Sequence, residues 1–158
     1  MHSQNPLSCF YSTLMGSSFG SDIGSVSDIQ PLCTFIEDAD NLTFNKNNFN
    51  CASMNVNSIL CQDRLSQIES IIKNNNLAVC GVQESKLDSS KHPSCYKIDG
   101  YNMISKHRPS GRGGGLILYI RADLAFRQLS NLENKTSTFA HISAEIYIQS
   151  KRILINNV

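Results

Sequence analysis

A chain of 158 residues with 41% apolar residues is long enough for one ordinary domain with a buried core. It holds no apolar run long enough to span a bilayer. Its start, Met1-His2-Ser3-Gln4-Asn5, lacks the basic and apolar regions of a secretion signal, so a soluble intracellular protein is expected. The net charge of +1 hides an asymmetry. Residues 1–45 hold five acidic residues and no Lys or Arg, whereas the remainder holds all 14 basic residues and eight of the 13 acidic ones. That balance suits a polyanionic partner, although a charge of this size also describes an ordinary solvated surface.

Residues 1–48 read as a leader. Serines are frequent, Gly16, Gly20 and Gly24 are interspersed, and no helical or alternating period persists. The composition predicts a mostly disordered segment with a short helix near Leu32–Phe35, ending at the polar break Asn45-Lys46-Asn47-Asn48. The ordered domain then covers residues 49–158.

Within that domain Cys51–Val56 predicts a strand. Leu60, Leu65, Ile68, Ile71 and Ile72 recur at helical spacing with polar residues between them, which predicts an amphipathic helix of about four turns. Asn74-Asn75-Asn76 ends it, because Asn tolerates the left-handed backbone of helix C-termini. Leu77–Val82 is a continuous apolar run, the mark of a strand buried on both faces. Strand, helix and strand at this length form a βαβ-like unit, which brings the residues after both strands to one sheet edge. Tyr101–Ser105 and Leu116–Ile120 predict an antiparallel pair around a Pro- and Gly-containing turn. Phe139–Ile148 alternates loosely, and Arg152–Val158 predicts a further strand. None of the six cysteines forms a Cys-x-x-Cys pair or a zinc-like cluster with His, so free thiols are expected.

The chemistry-bearing residues fall at strand ends. Glu84 follows the buried run 77–82, and Asn55 and Asn57 close the run before the helix. One carboxylate flanked by neutral amides can hold one hard cation such as Mg2+, which uses one or two carboxylates together with water and substrate phosphate. Asn55 is then a second metal-site group, and Asn55 or Asn57 hydrogen-bonds a phosphate oxygen or orients the metal's water. The plain alternative makes Asn57 or Ser58 a helix cap and Glu84 a solvated loop acid. Lys106, Arg108 and Arg112, with His107, lie on a glycine-containing hairpin that suits phosphate contacts, or is an exposed turn with solvated charges. The run Gly113-Gly114-Gly115 is not a P-loop, because no Gly-Lys-Ser/Thr follows it.

Four segments carry a resemblance. Met54-Asn55-Val56-Asn57-Ser58-Ile59-Leu60, Val79-Cys80-Gly81-Val82-Gln83-Glu84-Ser85-Lys86-Leu87-Asp88, Gly100-Tyr101-Asn102 and Arg112-Gly113-Gly114-Gly115-Leu116-Ile117-Leu118-Tyr119 resemble the endonuclease/exonuclease/phosphatase superfamily. The likeness is to endonuclease domains of non-LTR (LINE-type) retrotransposons and covers residues 50–158. It implies an α/β fold, a four-layered α/β sandwich like that of deoxyribonuclease I, of which this chain would be the N-terminal half. It also implies Mg2+-dependent (or Mn2+-dependent) cleavage of DNA for target nicking in the nucleus. The family's metal-site Glu falls on Glu84, its active-site Asn on Asn55, and the polar position two residues later on Asn57. Members continue with an Asp-x-Asn motif and a terminal Asp-His motif, which supply further catalytic groups. The resemblance therefore implies a truncated domain with one uncovered apolar face and little turnover of its own. Two other readings stay open, a non-catalytic nucleic-acid-binding or interaction module and a phosphatase of small phosphoesters.

Overall fold

The computed structural model describes residues 8–14, 34–36, 49–107, 114–130, 140–148 and 150–158, with side chains described from residue 49 onward. Among the described residues nine strands and one α-helix make up the regular structure. They are β1 (Ser8–Leu14), β2 (Thr34–Ile36), β3 (Phe49–Asn55), α1 (Gln62–Asn74), β4 (Val79–Gln83), β5 (Tyr101–Lys106), β6 (Leu116–Arg121), β7 (Ala125–Gln128), β8 (Ile142–Ile148) and β9 (Lys151–Asn157). A 3-10 turn occupies Pro93–Tyr96. Six strands form one sheet in the order β2-β1-β3-β4-β6-β5, and three form a second in the order β7-β8-β9.

The period-2 alternation of the central strands sorts their side chains into two cores. Ala52, Met54, Cys80, Val82, Ile117 and Tyr119 face Leu65, Ile68 and Ile72 of α1. Val79, Leu116, Leu118 and Ile120 point the other way, onto Ile142, Ala144 and Ile146 of the second sheet. Burying each of the three large helix residues is worth about 1.5–3 kcal/mol. Helix α1 ends as its asparagines predict. The N–H of Asn75 bonds back to the Ile71 carbonyl at 3.2 Å, and Asn76 adopts φ 46.

These facts correct the expected fold. The protein is mostly β, with two sheets packed face to face and one helix, and is not a four-layered α/β sandwich. The physical reason lies in the connections. Among the described strands only β3 and β4 pair in parallel, and a parallel pair needs a long crossover, here α1. Every other strand pair is antiparallel and makes no such demand. A single helical layer results among the described residues. Nor is either face of β3, β4 and β6 left bare, since one meets α1 and the other the second sheet. The outer face of the second sheet carries Glu145, pinned by Arg127 at 2.8 Å and by the Tyr147 hydroxyl at 2.8 Å. That face is largely polar, with Leu154 as an exposed exception.

Two described segments lie in the region expected to lack order. β1 pairs antiparallel with β3 over seven residues, from Ser8 opposite Asn55 to Leu14 opposite Phe49. β2 pairs with β1 and is extended where a short helix was expected. A central strand with one open edge offers unpaired backbone groups, and β1 satisfies them. β7 is the other unanticipated strand. With four residues it is too short to show a period.

Candidate functional site

Parallel pairing places Asn55 opposite Gln83, so β3 and β4 end at the same edge. The turns after them are stitched together. Backbone N–H groups of Val56, Ser58 and Ile59 donate to the carbonyls of Gln83, Glu84 and Ser85 at 3.1, 2.7 and 3.0 Å. Asn55 and Asn57 are exposed and Glu84 is half-buried. The structure therefore brings together the three residues singled out at this edge. Neither Asn57 nor Ser58 caps the helix, whose N-cap is Cys61 without a side-chain bond. Asn55 Oδ1 instead accepts the N–H of Asn57 at 3.1 Å, a local turn of the kind Asn favours.

Glu84 sits on an irregular strand end. Val82 lies opposite Ile117 in the regular β4–β6 ladder. Beyond that pair the N–H of Ser85 donates to the Gly115 carbonyl at 3.0 Å, and that of Lys86 to Gly114 at 2.8 Å. Gln83 and Glu84 on one strand thus oppose Leu116 alone on the other, which is a β-bulge. Bulges bend a strand and re-aim its side chains. Glu84 adopts φ 55, and its Oε2 accepts the Gly114 N–H at 2.7 Å. A carboxylate that accepts a backbone N–H is held in place while its other oxygen stays available.

Backbone strain gathers at this edge. Five described non-glycine residues have positive φ, and four of them, Asn57, Ser58, Glu84 and Lys86, belong to these two turns. Each such residue costs about 1–2 kcal/mol, and strain of this kind concentrates at functional sites. Across the turns Lys86 Nζ donates to Asn57 Oδ1 at 2.6 Å.

The basic residues divide. Lys106 ends β5 opposite Leu116, so it lies at the same sheet edge as Glu84, two strands away, roughly 10 Å by ordinary strand spacing. Its Nζ donates to the carbonyl of His141 at 3.2 Å. Arg108 and Arg112 lie outside the described residues. Among the described residues no three His, Cys, Asp or Glu side chains converge, so a cation at Glu84 would draw on one carboxylate, amide oxygens and water. Lys86 takes Asn57 Oδ1, which leaves Glu84 and Asn55 as the protein groups that such a cation would use.

Sequence reasoning missed Lys86, the bulge, and a buried polar network behind the site. Gln83 Nε2 donates to Ser53 Oγ at 2.6 Å and also to Oδ1 of Asn157. Asn157 Nδ2 donates to the carbonyls of Ile117 at 2.9 Å and Val82 at 3.3 Å. The available signal was Gly81, since a glycine inside a buried strand marks a bulge or a close approach.

No protein-family model matches this chain, and no curated protein is significantly similar to it in sequence. Among the described residues no helix is long and apolar enough to cross a membrane.

Proposed function

We propose that the edge carrying Asn55, Asn57 and Glu84 is a divalent-cation and phosphate site that serves hydrolysis of DNA phosphodiesters, the activity implied by the resemblance to retrotransposon endonucleases. The observation that carries the reading is the Glu84 carboxylate. A bulge and a left-handed backbone aim it, one oxygen is engaged by Gly114, and the adjoining strand end that carries Asn55 and Asn57 is bonded to its turn through the backbone. A left-handed backbone at a non-glycine residue costs about 1–3 kcal/mol, and such strain clusters at functional sites.

In this reading Glu84 is the carboxylate ligand of Mg2+, with Mn2+ as a substitute. Bound there, the cation would polarise a phosphoryl oxygen and stabilise the departing alkoxide. Asn55 orients the phosphate or the cation's water, and Asn57 does so from the adjoining turn. Lys106, Arg108 and Arg112 contact flanking phosphates, which fix position rather than sequence. The biological setting of the reading is target-DNA nicking in the nucleus.

A second reading, a nucleic-acid-binding module without catalysis, is favoured by the Lys86 ammonium on Asn57 Oδ1, which places a permanent cation where a phosphate could bind directly. Supercoiled-plasmid nicking with Mg2+ separates the two. Nicking by the wild-type chain that disappears in Glu84→Ala supports the nuclease. Retarded DNA without nicking in either protein supports the binding module. Equal nicking by both proteins removes Glu84 from the site. Hydrolysis of a small phosphomonoester with no effect on plasmid would move the reading to a phosphatase.

A further inference from the structure

We infer that Asn157 is a positioning residue for Glu84, acting from the second sheet through the backbone of β4 and β6 and through the Gln83 side chain. The inference rests on the reading of Glu84 as a cation ligand.

Asn157 ends β9 on the inner face of the second sheet and is 3% exposed. A buried carboxamide is unfavourable unless its groups are bonded, and here both ends are. Its Nδ2 holds the Val82 and Ile117 carbonyls, which belong to the last regular pair of the β4–β6 ladder. Its Oδ1 accepts from Gln83, which also reaches Ser53 on β3. Asn157 therefore ties β4 to β6, and Gln83 extends the tie to β3, all within two residues of Asn55, Glu84 and Gly115.

The approach is close enough to dictate a glycine. A Cβ at Gly81 would stand 2.8 Å from Asn157 Oδ1, below any ordinary contact. The chain gives up a side chain in the middle of a buried strand and buries a polar group opposite it. An apolar pair would pack the same space without those demands, so packing alone does not account for the arrangement. The bulge does. It begins directly after the Val82–Ile117 pair, and a strand that slips by one residue turns its side chains to the other face. Anchoring that pair from behind keeps Gln83 and Glu84 as the two residues opposite Leu116. Glu84 then keeps its aim at Gly114.

The test uses the full chain. In a 15N-resolved spectrum the hydrogen exchange of the Gly114 amide reports its bond to the Glu84 carboxylate, and Mn2+ affinity is measured by the loss of its free-ion EPR signal. Asn157→Leu keeps the branched shape of the side chain and removes both donor bonds. The expected result is faster exchange of the Gly114 amide, with Mn2+ binding weakened about tenfold, while the amides of Ile68 and Ile72 in α1 stay in place. Asn157→Leu with a lowered melting temperature but unchanged Gly114 exchange and unchanged Mn2+ affinity overturns the inference. Should Asn157→Leu fail to fold, Gln83→Met removes the donor to Asn157 Oδ1 at a half-buried position. It should move both readouts in the same direction, and no movement in either overturns the inference. If the wild-type chain binds Mn2+ without dependence on Glu84, the cation reading falls. The Gly114 exchange alone then decides the positioning.

Discussion

Lys86 Nζ donates to Asn57 Oδ1 at 2.6 Å, joining the turn after β4 to the turn after β3, and both residues hold a left-handed backbone. The bond sets a positive charge next to the Glu84 carboxylate edge. It also fixes which way Asn57 presents its amide, because the oxygen is committed to the ammonium.

Replacing that ammonium tests whether it meets phosphate. Lys86→Met should leave stability within about 0.5 kcal/mol, since the side chain is only half-buried and serves no core. If Lys86 contacts one phosphate of a duplex, the slope of log K against log salt becomes shallower by about 0.9. Filter binding across a salt series reads this directly. An unchanged slope removes Lys86 from the interface.

Gly115 and Gly100 form a matched pair of glycines. Both have left-handed backbone, with φ 85 and φ 83. A Cβ at Gly100 would meet nothing within 4 Å, whereas one at Gly115 would stand 2.6 Å from Ser85 Oγ. Gly100→Ala should therefore cost the backbone term alone, about 1–2 kcal/mol. Gly115→Ala should cost that plus about 1–3 kcal/mol for overpacking beside a fully buried Ser85. Urea unfolding of both variants gives the difference. Equal costs would show that the turn after β4 yields easily to an added methyl.

The thiols should separate by environment. Burial pushes the Cys51 thiol up to about 12, so little thiolate forms at pH 8, and Cys80 is fully buried. Cys61 and Cys95 are exposed. Iodoacetamide at pH 8 followed by peptide mass spectrometry should find Cys61 and Cys95 modified first, with Cys51 and Cys80 modified only in urea. The same shift has a stability consequence. The unfolded thiol loses its proton near 9.0 while the folded one keeps it, so the unfolded state binds fewer protons and stability falls as pH rises from about 9 toward 12. Burial raises the Tyr119 hydroxyl in the same direction. Urea midpoints at pH 8 and pH 10.5 should therefore decrease, and a rise would contradict both burials.

Much of the local structure was legible because it is written in short-range patterns. The spacing of Leu65, Ile68 and Ile72 gave the helix, the triple Asn its end, and the apolar runs at 77–82 and 116–120 the two central strands. The candidate edge was legible for the same reason, since strand, helix and strand force Asn55 and Glu84 to one side. The layer architecture was not. Whether a sheet face meets a second helix or a second sheet depends on contacts between residues far apart in the chain. Here Ile142, Ala144 and Ile146 fill the face that the expected fold left open. β1 escaped for a related reason, because its pairing with β3 is set by an open sheet edge rather than by any period of its own.

By itself, then, the sequence determined the βαβ core, the helix and its C-terminal end, and the candidate trio Asn55, Asn57 and Glu84. These follow from backbone propensity and hydrophobic period, which act over a few residues. Tertiary structure alone decided the bulge that aims Glu84, the Lys86–Asn57 bond and the reach of Asn157 over Gly81 to β4 and β6. Each joins residues more than 25 positions apart, where position is set by how sheets stack and strands register, and where a single added methyl or lost donor changes the outcome.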